Sequence, residues 1–459
     1  MPKSNIKNIA PEVVQTATAV AAEKHAPVLG VGEMVNYRDS WRIFRIITEF
    51  VEGYQFLGEL KKEVVILGSA RFPGNNKYYK IAQELGYLLA KGGFTTITGG
   101  GPGIMEAANK GAFEGGGESV GLNIQLPFEQ RTNPYVKKSI AFYYFFSRKV
   151  MLTSPANAFV FFPGGFGTLD EFFEVVDNIE TGHMPNVPIV LIGKDFWEPI
   201  IEFLKTKSAR EVHSVNEADI NAWHVVEDAK AAFDLIKDVP DRIGNNECEL
   251  YPNNPHCQGT LDWSIFRIMA ELVDGFEFLT KISHDATIFG TKSILPGSVY
   301  YNAAYEVGKL LAENKYITIT GGGPGIMEAA NKGAFEKGGV SVGINMRLEK
   351  GERVNNYITK SIGFFFPFVR KLIITAPSEA FVYFPGGFGT LHQLFEMLTL
   401  QETKKIAPIP TLLYGREFWQ PLIEIIHKMR NDFKTISQMD EDYLKLIDDP
   451  KEVLQYLRK

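Results

Sequence analysis

Short runs of apolar residues alternate along this chain with longer segments in which apolar residues recur at helical spacing. Val64–Leu67 and Ala158–Phe162 are two such runs, and apolar residues recur at helical spacing from Phe172 to Ile179. Runs without polar alternation are typical of strands that are buried on both faces of a parallel sheet. Strands that alternate with helices in this way predict an α/β fold, in which helices cover both faces of a doubly wound, Rossmann-like parallel sheet.

The sequence contains an internal repeat with an offset of 222 residues, as from Thr168 to Thr390. Gly99–Glu106 returns unchanged as Gly321–Glu328, and both copies continue with Ala-Ala-Asn-Lys-Gly-Ala-Phe-Glu. We therefore predict two tandem domains of the same fold, because each copy is long enough to bury its own core. The predicted divisions are an N-terminal extension over 1–38, a domain over 39–240, a linker over 241–260 and a second domain over 261–459.

A glycine-rich turn follows the apolar run Ala158–Phe162 and reads Pro163-Gly164-Gly165-Phe166-Gly167-Thr168-Leu169-Asp170-Glu171. A strand, a glycine turn and a helix start present free backbone N–H groups, so a phosphate suits this position. We expect Thr168 to cap the helix and to offer its hydroxyl to the phosphate, and Glu171 to face the same opening. A capping box, in which Thr168 and Glu171 only stabilise the helix start, is the alternative explanation.

Two further loops, Gly68–Arg71 and Gly99–Gly103, also follow predicted strands. Ligands of such sheets bind outside the carboxyl ends of the strands, so we expect three loops of each half to converge on one site. Gly99–Gly103 does not fit the dinucleotide fingerprint, because the third glycine is missing and no acidic residue obviously ends the next strand. This disfavours a dinucleotide oxidoreductase.

The net charge of the chain disfavours some classes of binding partner. A net charge of -6 gives no whole-chain electrostatic footprint for nucleic acid or for an anionic membrane. No apolar run reaches the roughly 20 residues that span a bilayer, and the N-terminus lacks a signal-like segment, so we expect a cytoplasmic protein. Cys248 and Cys257 are the two cysteines, and two surface thiols are favoured over a metal site or a regulatory disulfide.

The two glycine motifs, with Arg148-Lys149 about 20 residues before Thr168, resemble the Lonely Guy (LOG) family, often labelled lysine decarboxylase-like. The mark of that family is Pro-Gly-Gly-x-Gly-Thr-x-x-Glu, and the resemblance covers about residues 39–238 and 261–459. It implies hydrolysis of the N-glycosidic bond of a nucleoside 5′-monophosphate to a free base and ribose 5-phosphate, without a cofactor or a metal. The family pairs as homodimers, which implies an intrachain pseudo-dimer here and allows further homo-oligomerisation.

The same resemblance assigns the essential pair to Arg148 and Glu171. Breaking a ribosyl C–N bond passes through an oxocarbenium-like state, which a carboxylate stabilises while it orients or deprotonates a water. Arg148 would hold the phosphate or the sugar hydroxyls, or orient Glu171, and a surface salt bridge is its alternative role. The other substrate-binding candidates of the first half are Gly68, Ser69, Arg71, Gly99, Gly100, Gly101, Gly103, Lys149, Gly164, Gly165, Gly167, Thr168 and Glu174.

The second half departs from the motif, since Gln393 stands in place of the glutamate and His392 in place of Asp170. An amide neither takes up a proton nor carries the countercharge of an oxocarbenium ion. We therefore predict a second site that binds a nucleotide but is catalytically weak, with His392 as a substitute acid or base held open. Its role would be structural or regulatory. Its binding candidates are Gly321, Gly322, Gly323, Arg370, Gly386, Gly387, Gly389 and Thr390.

A non-enzymatic binder remains the alternative function. Such a protein would carry a molybdenum cofactor or sense a nucleotide through the same glycine loops. The retained Arg148 and Glu171 favour the enzyme, whereas Gln393 favours binding in the second half. The sequence leaves the base open: a cytokinin riboside monophosphate needs an apolar pocket for its tail, whereas AMP, GMP or CMP does not.

Overall fold

The computed structural model of the chain describes residues 37–125, 132–241, 261–347, 354–376, 378–437 and 443–457. Within these residues the chain forms two seven-stranded sheets, in which all the recorded strand pairings are parallel. Helices pack against each sheet. The predicted tandem, doubly wound α/β fold is confirmed.

Helices and strands alternate in the same order in both halves. The elements of the first half are α1 (Tyr37–Leu57), β1 (Glu63–Leu67), α2 (Lys77–Lys91), β2 (Thr95–Thr98), α3 (Ile104–Glu114), β3 (Ser119–Ile124), β4 (Lys138–Phe142), α4 (Phe145–Thr153), β5 (Ala158–Phe161), α5 (Phe166–Glu180), β6 (Ile189–Ile192), α6 (Lys194–Phe203, continued by a π-helix over Leu204–Glu211), α7 (Glu217–Asn221), β7 (His224–Val226) and α8 (Ala229–Ile236). Those of the second half are α9 (Leu261–Leu279), β8 (Asp285–Phe289), α10 (Val299–Glu313), β9 (Ile317–Thr320), α11 (Ile326–Glu336), β10 (Ser341–Met346), β11 (Lys360–Phe364), α12 (Pro367–Thr375), β12 (Phe381–Tyr383), α13 (Phe388–Glu402), β13 (Thr411–Tyr414), α14 (Arg416–Asn431), β14 (Leu444–Ile447) and α15 (Glu452–Leu457).

The strand order fixes where a ligand fits. The first sheet has the order β4-β3-β2-β1-β5-β6-β7, and the second has the order β11-β10-β9-β8-β12-β13-β14. The chain therefore winds outward from β1 to β4 and then returns to place β5 on the other side of β1. Open parallel sheets bind ligands where the winding reverses, at the carboxyl ends of the strands. That point lies between β1 and β5 in the first half and between β8 and β12 in the second.

The central strands are buried along their whole length, which explains their unbroken apolar runs. All five residues of β1 and all four of β5 are buried. Alternate side chains of β1 enter different layers: Val64 and Ile66 pack with α2 and α3, whereas Val65 and Leu67 join the core that continues into the second half. Each strand therefore holds two helix layers in place.

The edge strands differ from this pattern. The polar stretches before α4 and α12 predict loops, and that prediction is wrong because each contains a strand, β4 or β11. Lys138 and Ser139 of β4 are exposed, as are Lys360 and Ser361 of β11. Edge strands with one covered side need fewer apolar residues, so hydrophobicity alone does not reveal them. The strands β7 and β14 at the opposite edges were not predicted either.

The two halves pack against each other along α5 and α13. Residues at matching positions of the repeat meet there: the rings of Phe173 and Phe395 are stacked with centroids 5.5 Å apart. Asp170 Oδ1 lies 3.5 Å from His392 Nε2. Matching residues meet each other where a two-fold axis passes between them. The halves are thus arranged about a pseudo-two-fold axis within one chain.

Some predictions fall on residues that the structure does not describe. Cys248 and Cys257 lie in the stretch 242–260, and most of the predicted N-terminal extension lies in 1–36; both stretches are outside the described residues. Across the described ranges, no helix has both the length and the apolar character that crossing a membrane requires.

Candidate active site

Three loops of the first half meet at the carboxyl ends of β1, β2 and β5. Ser69 connects them: its N–H donates to Pro163 O (3.0 Å), and its carbonyl accepts from Ile104 N–H (3.0 Å). Ser69 is almost fully buried, so this loop-to-loop contact is part of the interior. We define the first loop cluster as the loops Gly68–Arg71, Gly99–Gly103 and Pro163–Gly165.

The middle loop of this cluster needs glycine and is held by an asparagine. Gly100 and Gly103 have φ values of 72° and 69°, in the left-handed region that favours glycine. A Cβ on Gly103 would lie 2.4 Å from Ser69 O, which also excludes a larger residue. Asn133 Nδ2 donates to Gly100 O (3.2 Å) and to Gly101 O (3.1 Å). The backbone of the loop is therefore fixed before any ligand arrives.

Sequence reasoning missed Asn133. Asn355 plays the same part in the second half, where its Nδ2 donates to Gly322 O and Gly323 O, each at 3.1 Å. The two asparagines are 222 residues apart, and Tyr135 and Lys138–Ile140 near Asn133 also recur, as Tyr357 and Lys360–Ile362. The recurrence of this polar residue in both halves was the signal that could have revealed it.

The start of α5 differs from the prediction. Gly165 is the N-cap residue, so Thr168 already lies in the first turn. The prediction that Thr168 caps the helix is therefore wrong, and the capping-box alternative fails with it. The Thr168 side chain packs on Gly164, where an added Cβ would lie 2.0 Å from its Oγ1. Glu171 instead accepts a hydrogen bond from Arg148.

Other predicted glycines serve close packing. A Cβ on Gly68 would lie 2.8 Å from the Phe162 side chain, so this position joins β1 to β5. Gly165 has a neighbour from the second half, since its Cβ would lie 2.9 Å from Thr435 O. A Cβ on Gly167 would lie at an ordinary van der Waals distance from the second half. The glycines at the start of α5 therefore also allow the halves to approach.

Arg148 is held beside the first loop cluster from two sides. Its Nε donates to Leu122 O (2.8 Å) and its Nη1 donates to Glu171 Oε1 (3.2 Å). The guanidinium lies against Gly99, where a Cβ would lie 2.4 Å from Nη2. Only 8% of the Arg148 side chain is exposed. The surface salt bridge considered for Arg148 is thus replaced by a buried, anchored ion pair.

Glu171 lies almost enclosed next to this guanidinium, with 12% of its side chain exposed. Burial raises the pKa of Glu171 above its usual value, while the positive charges of Arg148 and Lys149 act against that rise. A carboxylate whose pKa lies above the usual range is a stronger base than an exposed one. The sequence-predicted pair is therefore brought together in a setting that suits proton transfer.

The second half covers one side of the first loop cluster. Arg71 Nη2 pairs with Glu402 Oε1 at 2.9 Å, and Glu402 is the last residue of α13. Nearby, Lys405 Nζ donates to Gln125 O (2.6 Å) and Tyr143 O (3.0 Å). Sequence reasoning missed Glu402 and Lys405, because no motif marks them and their partners are far away in the sequence.

Lys149 and Glu174 lie between the halves. Lys149 Nζ is 2.6 Å from Asp170 Oδ1, 3.4 Å from Glu396 Oε1 and 3.8 Å from Glu174 Oε2, and its side chain is 2% exposed. Burial acts to lower the pKa of Lys149, but the three carboxylates outweigh burial and raise it. We call Lys149, Asp170, Glu174 and Glu396 the interface cluster. Its geometry favours holding the two halves together.

The second half builds a matching second loop cluster from Gly290–Ser293, Gly321–Gly325 and Pro385–Gly387. Arg370 Nε donates to Ile344 O (2.9 Å), as Arg148 does to its own strand. A Cβ on Gly321 would lie 2.4 Å from Arg370 Nη2, the same spacing as in the first half. The arginine and the glycine on which it packs are thus retained where the motif glutamate is replaced by Gln393.

His392 is enclosed at the pseudo-two-fold axis. Its Nδ1 lies 2.7 Å from Lys371 Nζ, and its side chain is fully buried. Burial and the charge of Lys371 lower the pKa of His392, so the imidazole is neutral near pH 7. These contacts give His392 a structural setting between the halves and leave it no exposed face for a substrate.

The chain is similar to a family model and to several named proteins. The family model described as "Possible lysine decarboxylase" matches residues 105–236 and again 327–457. The chain is 28% identical over 196 residues to cytokinin riboside 5′-monophosphate phosphoribohydrolase LOG1 of Arabidopsis thaliana, with 41% of this chain and 87% of that protein covered. It is 31% identical over 179 residues to the phosphoribohydrolase LOG of Oryza sativa subsp. japonica, with 38% and 70% covered.

One solved structure that this chain matches is the molybdenum cofactor carrier protein of Chlamydomonas reinhardtii. It has 24% sequence identity and a TM-score of 0.30, and the match covers 39% of this chain and 96% of that one. The two matches of the family model together span more than half of the chain, and each covers one half of the repeat, from α3 to α8 and from α11 to α15. The chain therefore belongs to the possible lysine decarboxylase family, the LOG family, and contains two tandem copies of its fold.

Proposed function

We propose that the first loop cluster, with Arg148 and Glu171, hydrolyses the N-glycosidic bond of a nucleoside 5′-monophosphate to a free base and ribose 5-phosphate. The observation that carries the proposal is the buried Arg148–Glu171 ion pair beside the glycine loops. The names of the Arabidopsis and rice relatives, both phosphoribohydrolases of a riboside 5′-monophosphate, support this reaction class.

The phosphate is expected at the start of α5. The helix dipole favours negative charge there, and the Thr168 hydroxyl lies against Gly164 in the same turn. Glu171 lies three residues beyond Thr168, or about 4.5 Å further along the helix axis. A ribose fits between a phosphate at the helix start and a carboxylate at that height.

The chemistry then needs one base and one countercharge. The water oxygen forms a bond to C1′ while the C1′–N bond breaks, and the electron pair of that bond leaves with the base. Glu171 accepts a proton from the water, and this proton is available to the departing base nitrogen, so the reaction balances. Before that transfer, the negative charge of Glu171 stabilises the oxocarbenium-like ribose.

Arg148 keeps Glu171 ready for this role. Its positive charge opposes the effect of burial on the carboxyl group, so a larger fraction of Glu171 is ionised at neutral pH. The bond from Arg148 Nε to Leu122 O fixes the direction of the guanidinium. Arg148 thus orients the carboxylate, and its remaining N–H groups suit a phosphate or a sugar hydroxyl.

The test is release of free base from a panel of AMP, GMP, CMP and a cytokinin riboside 5′-monophosphate, with ribose 5-phosphate measured in the same samples. We expect wild type to release base from at least one nucleotide and Glu171→Gln to lower the rate on the order of 10²–10⁴-fold. Glu84→Gln, an identical change at an exposed position of α2, is the matched control.

Two results would oppose the proposal. If wild type released no base from any nucleotide of the panel, the alternative of a protein that binds a nucleotide or a cofactor without turnover would replace it. If Glu171→Gln kept the full rate, a different residue would act as the base. The substrate that wild type prefers within the panel identifies the base specificity.

A further inference from the structure

The second half contains a buried amide without a partner. Gln393 is 4% exposed, and among the described residues neither its Oε1 nor its Nε2 has a hydrogen-bond partner. Buried amide atoms are normally paired, because burial removes the water that would otherwise bind them. A ligand that donates one hydrogen bond and accepts another would satisfy this amide.

The repeat places this amide at the second loop cluster. Gln393 matches Glu171, whose carboxylate reaches Arg148 beside the first cluster. Arg370 matches Arg148 in its bond to the neighbouring strand and in its packing on Gly321. Gln393 therefore stands one helix turn from the glycine loops, with a guanidinium on the same side. Its side chain is enclosed in the ligand-free chain.

The same loops retain the features that suit a phosphate. α13 has 15 residues, and Gly387 is its N-cap. A Cβ on Gly386 would lie 2.1 Å from Thr390 Oγ1, so only glycine leaves room for this hydroxyl at the helix start, as for Thr168 at Gly164 in the first half. The helix start therefore offers N–H groups and the positive end of the helix dipole to an anion.

We propose that the second loop cluster binds a nucleoside 5′-monophosphate and holds it without hydrolysis, with the Gln393 amide bonded to the ribose hydroxyls. Each hydroxyl both donates and accepts a hydrogen bond, which matches the two halves of an amide. An amide takes up no proton from water, so the bound nucleotide stays intact. The choice of a nucleotide rests on the function proposed for the first half, whereas the presence of a site rests on Gln393.

The test counts nucleotides bound per full-length chain by equilibrium dialysis with AMP, GMP and CMP. The Glu171→Gln variant serves as the starting protein, so that turnover does not consume the ligand. We expect two nucleotides per chain. Adding Gln393→Leu should weaken the second site about tenfold or more, because the hydrogen bonds to the ribose are lost. Adding Arg148→Met instead should weaken the other site.

Stability separates a binding role of Gln393 from a structural one. Because the amide has no partner, Gln393→Leu should raise the thermal midpoint of the ligand-free protein while it lowers nucleotide binding. A structural role predicts a lower midpoint. A single bound nucleotide that Arg148→Met abolishes, or two that Gln393→Leu leaves unchanged, would overturn the proposal. Because dialysis measures binding and base release measures turnover, a failure here is distinguishable from a failure of the first-half hydrolase.

Discussion

Gly99→Ala tests whether the position of Arg148 controls catalysis, without replacing any charged residue. The added Cβ would lie 2.4 Å from Arg148 Nη2, about 1 Å inside ordinary contact distance. The guanidinium has little room to yield, because it is buried and bonded to Leu122 O at 2.8 Å. Relieving the overlap therefore costs the guanidinium this anchored position, and we expect a displacement on the order of 1 Å away from Glu171.

A misplacement of that size at a catalytic group costs about 10²-fold in rate. The assay is kcat/KM for base release with the preferred nucleotide, measured for wild type and Gly99→Ala at the same pH. Gly58→Ala is the control, because its added Cβ makes ordinary contacts at 3.4 Å and Gly58 lies at the end of α1, outside the loop cluster.

The thermal midpoint of each variant is measured beside its kinetics, so that a folding defect is separated from a catalytic one. If Gly99→Ala folds normally and keeps its activity within about threefold of wild type, the anchored position of Arg148 does not matter for the reaction. The role given to the Arg148–Glu171 pair would then be refuted. If Gly58→Ala lost as much activity, the effect at Gly99 would not be specific.

Two further predictions concern charge. Burial raises the pKa of Glu171, and the charge of Arg148 opposes this rise. We therefore expect kcat/KM to fall as the pH drops through a value above the usual glutamate range. Arg148→Met should move this acid limb of the pH profile to higher pH. If Arg148→Met left the acid limb of the pH profile unchanged, Arg148 would not influence the pKa of Glu171. Lys149→Met leaves the three carboxylates of the interface cluster without their buried cation, so we expect a loss of about 3–5 kcal/mol in unfolding free energy by urea titration. Lys237→Met, which breaks an exposed pair, should cost less than about 1 kcal/mol, and equal losses would contradict a special role for Lys149.

The strands could be predicted from the sequence wherever they are completely buried. β1 and β5 are buried on both faces, so their residues form unbroken apolar runs that need no tertiary information. Because the sequence repeats, each strand predicted in the first half was also predicted in the second half. β4 was missed because its first residues are exposed and its other side is open, so that polar side chains are tolerated there.

The site could be predicted only in part, because some of its contacts join residues that are far apart in the sequence. Arg148 and Glu171 lie 23 residues apart and were predicted as a pair because the resemblance to the LOG family assigns both. Arg71 and Glu402 are 331 residues apart, and no local pattern announces that the end of α13 reaches the first loop cluster. The burial of Lys149 by the second half was hidden in the same way, since it depends on Glu396.

The contact between Asp170 and His392 shows what fusion of two copies permits. In a homodimer, a residue on the two-fold axis faces its own copy, so both partners are always the same residue. Two separate copies of the first half would bring one buried Asp170 carboxylate against another, and like charges repel strongly there. The single chain opposes an aspartate with a histidine, 3.5 Å away. At this contact the second half is a better partner for the first half than a second copy of the first half would be, as in a heterodimer encoded by one polypeptide.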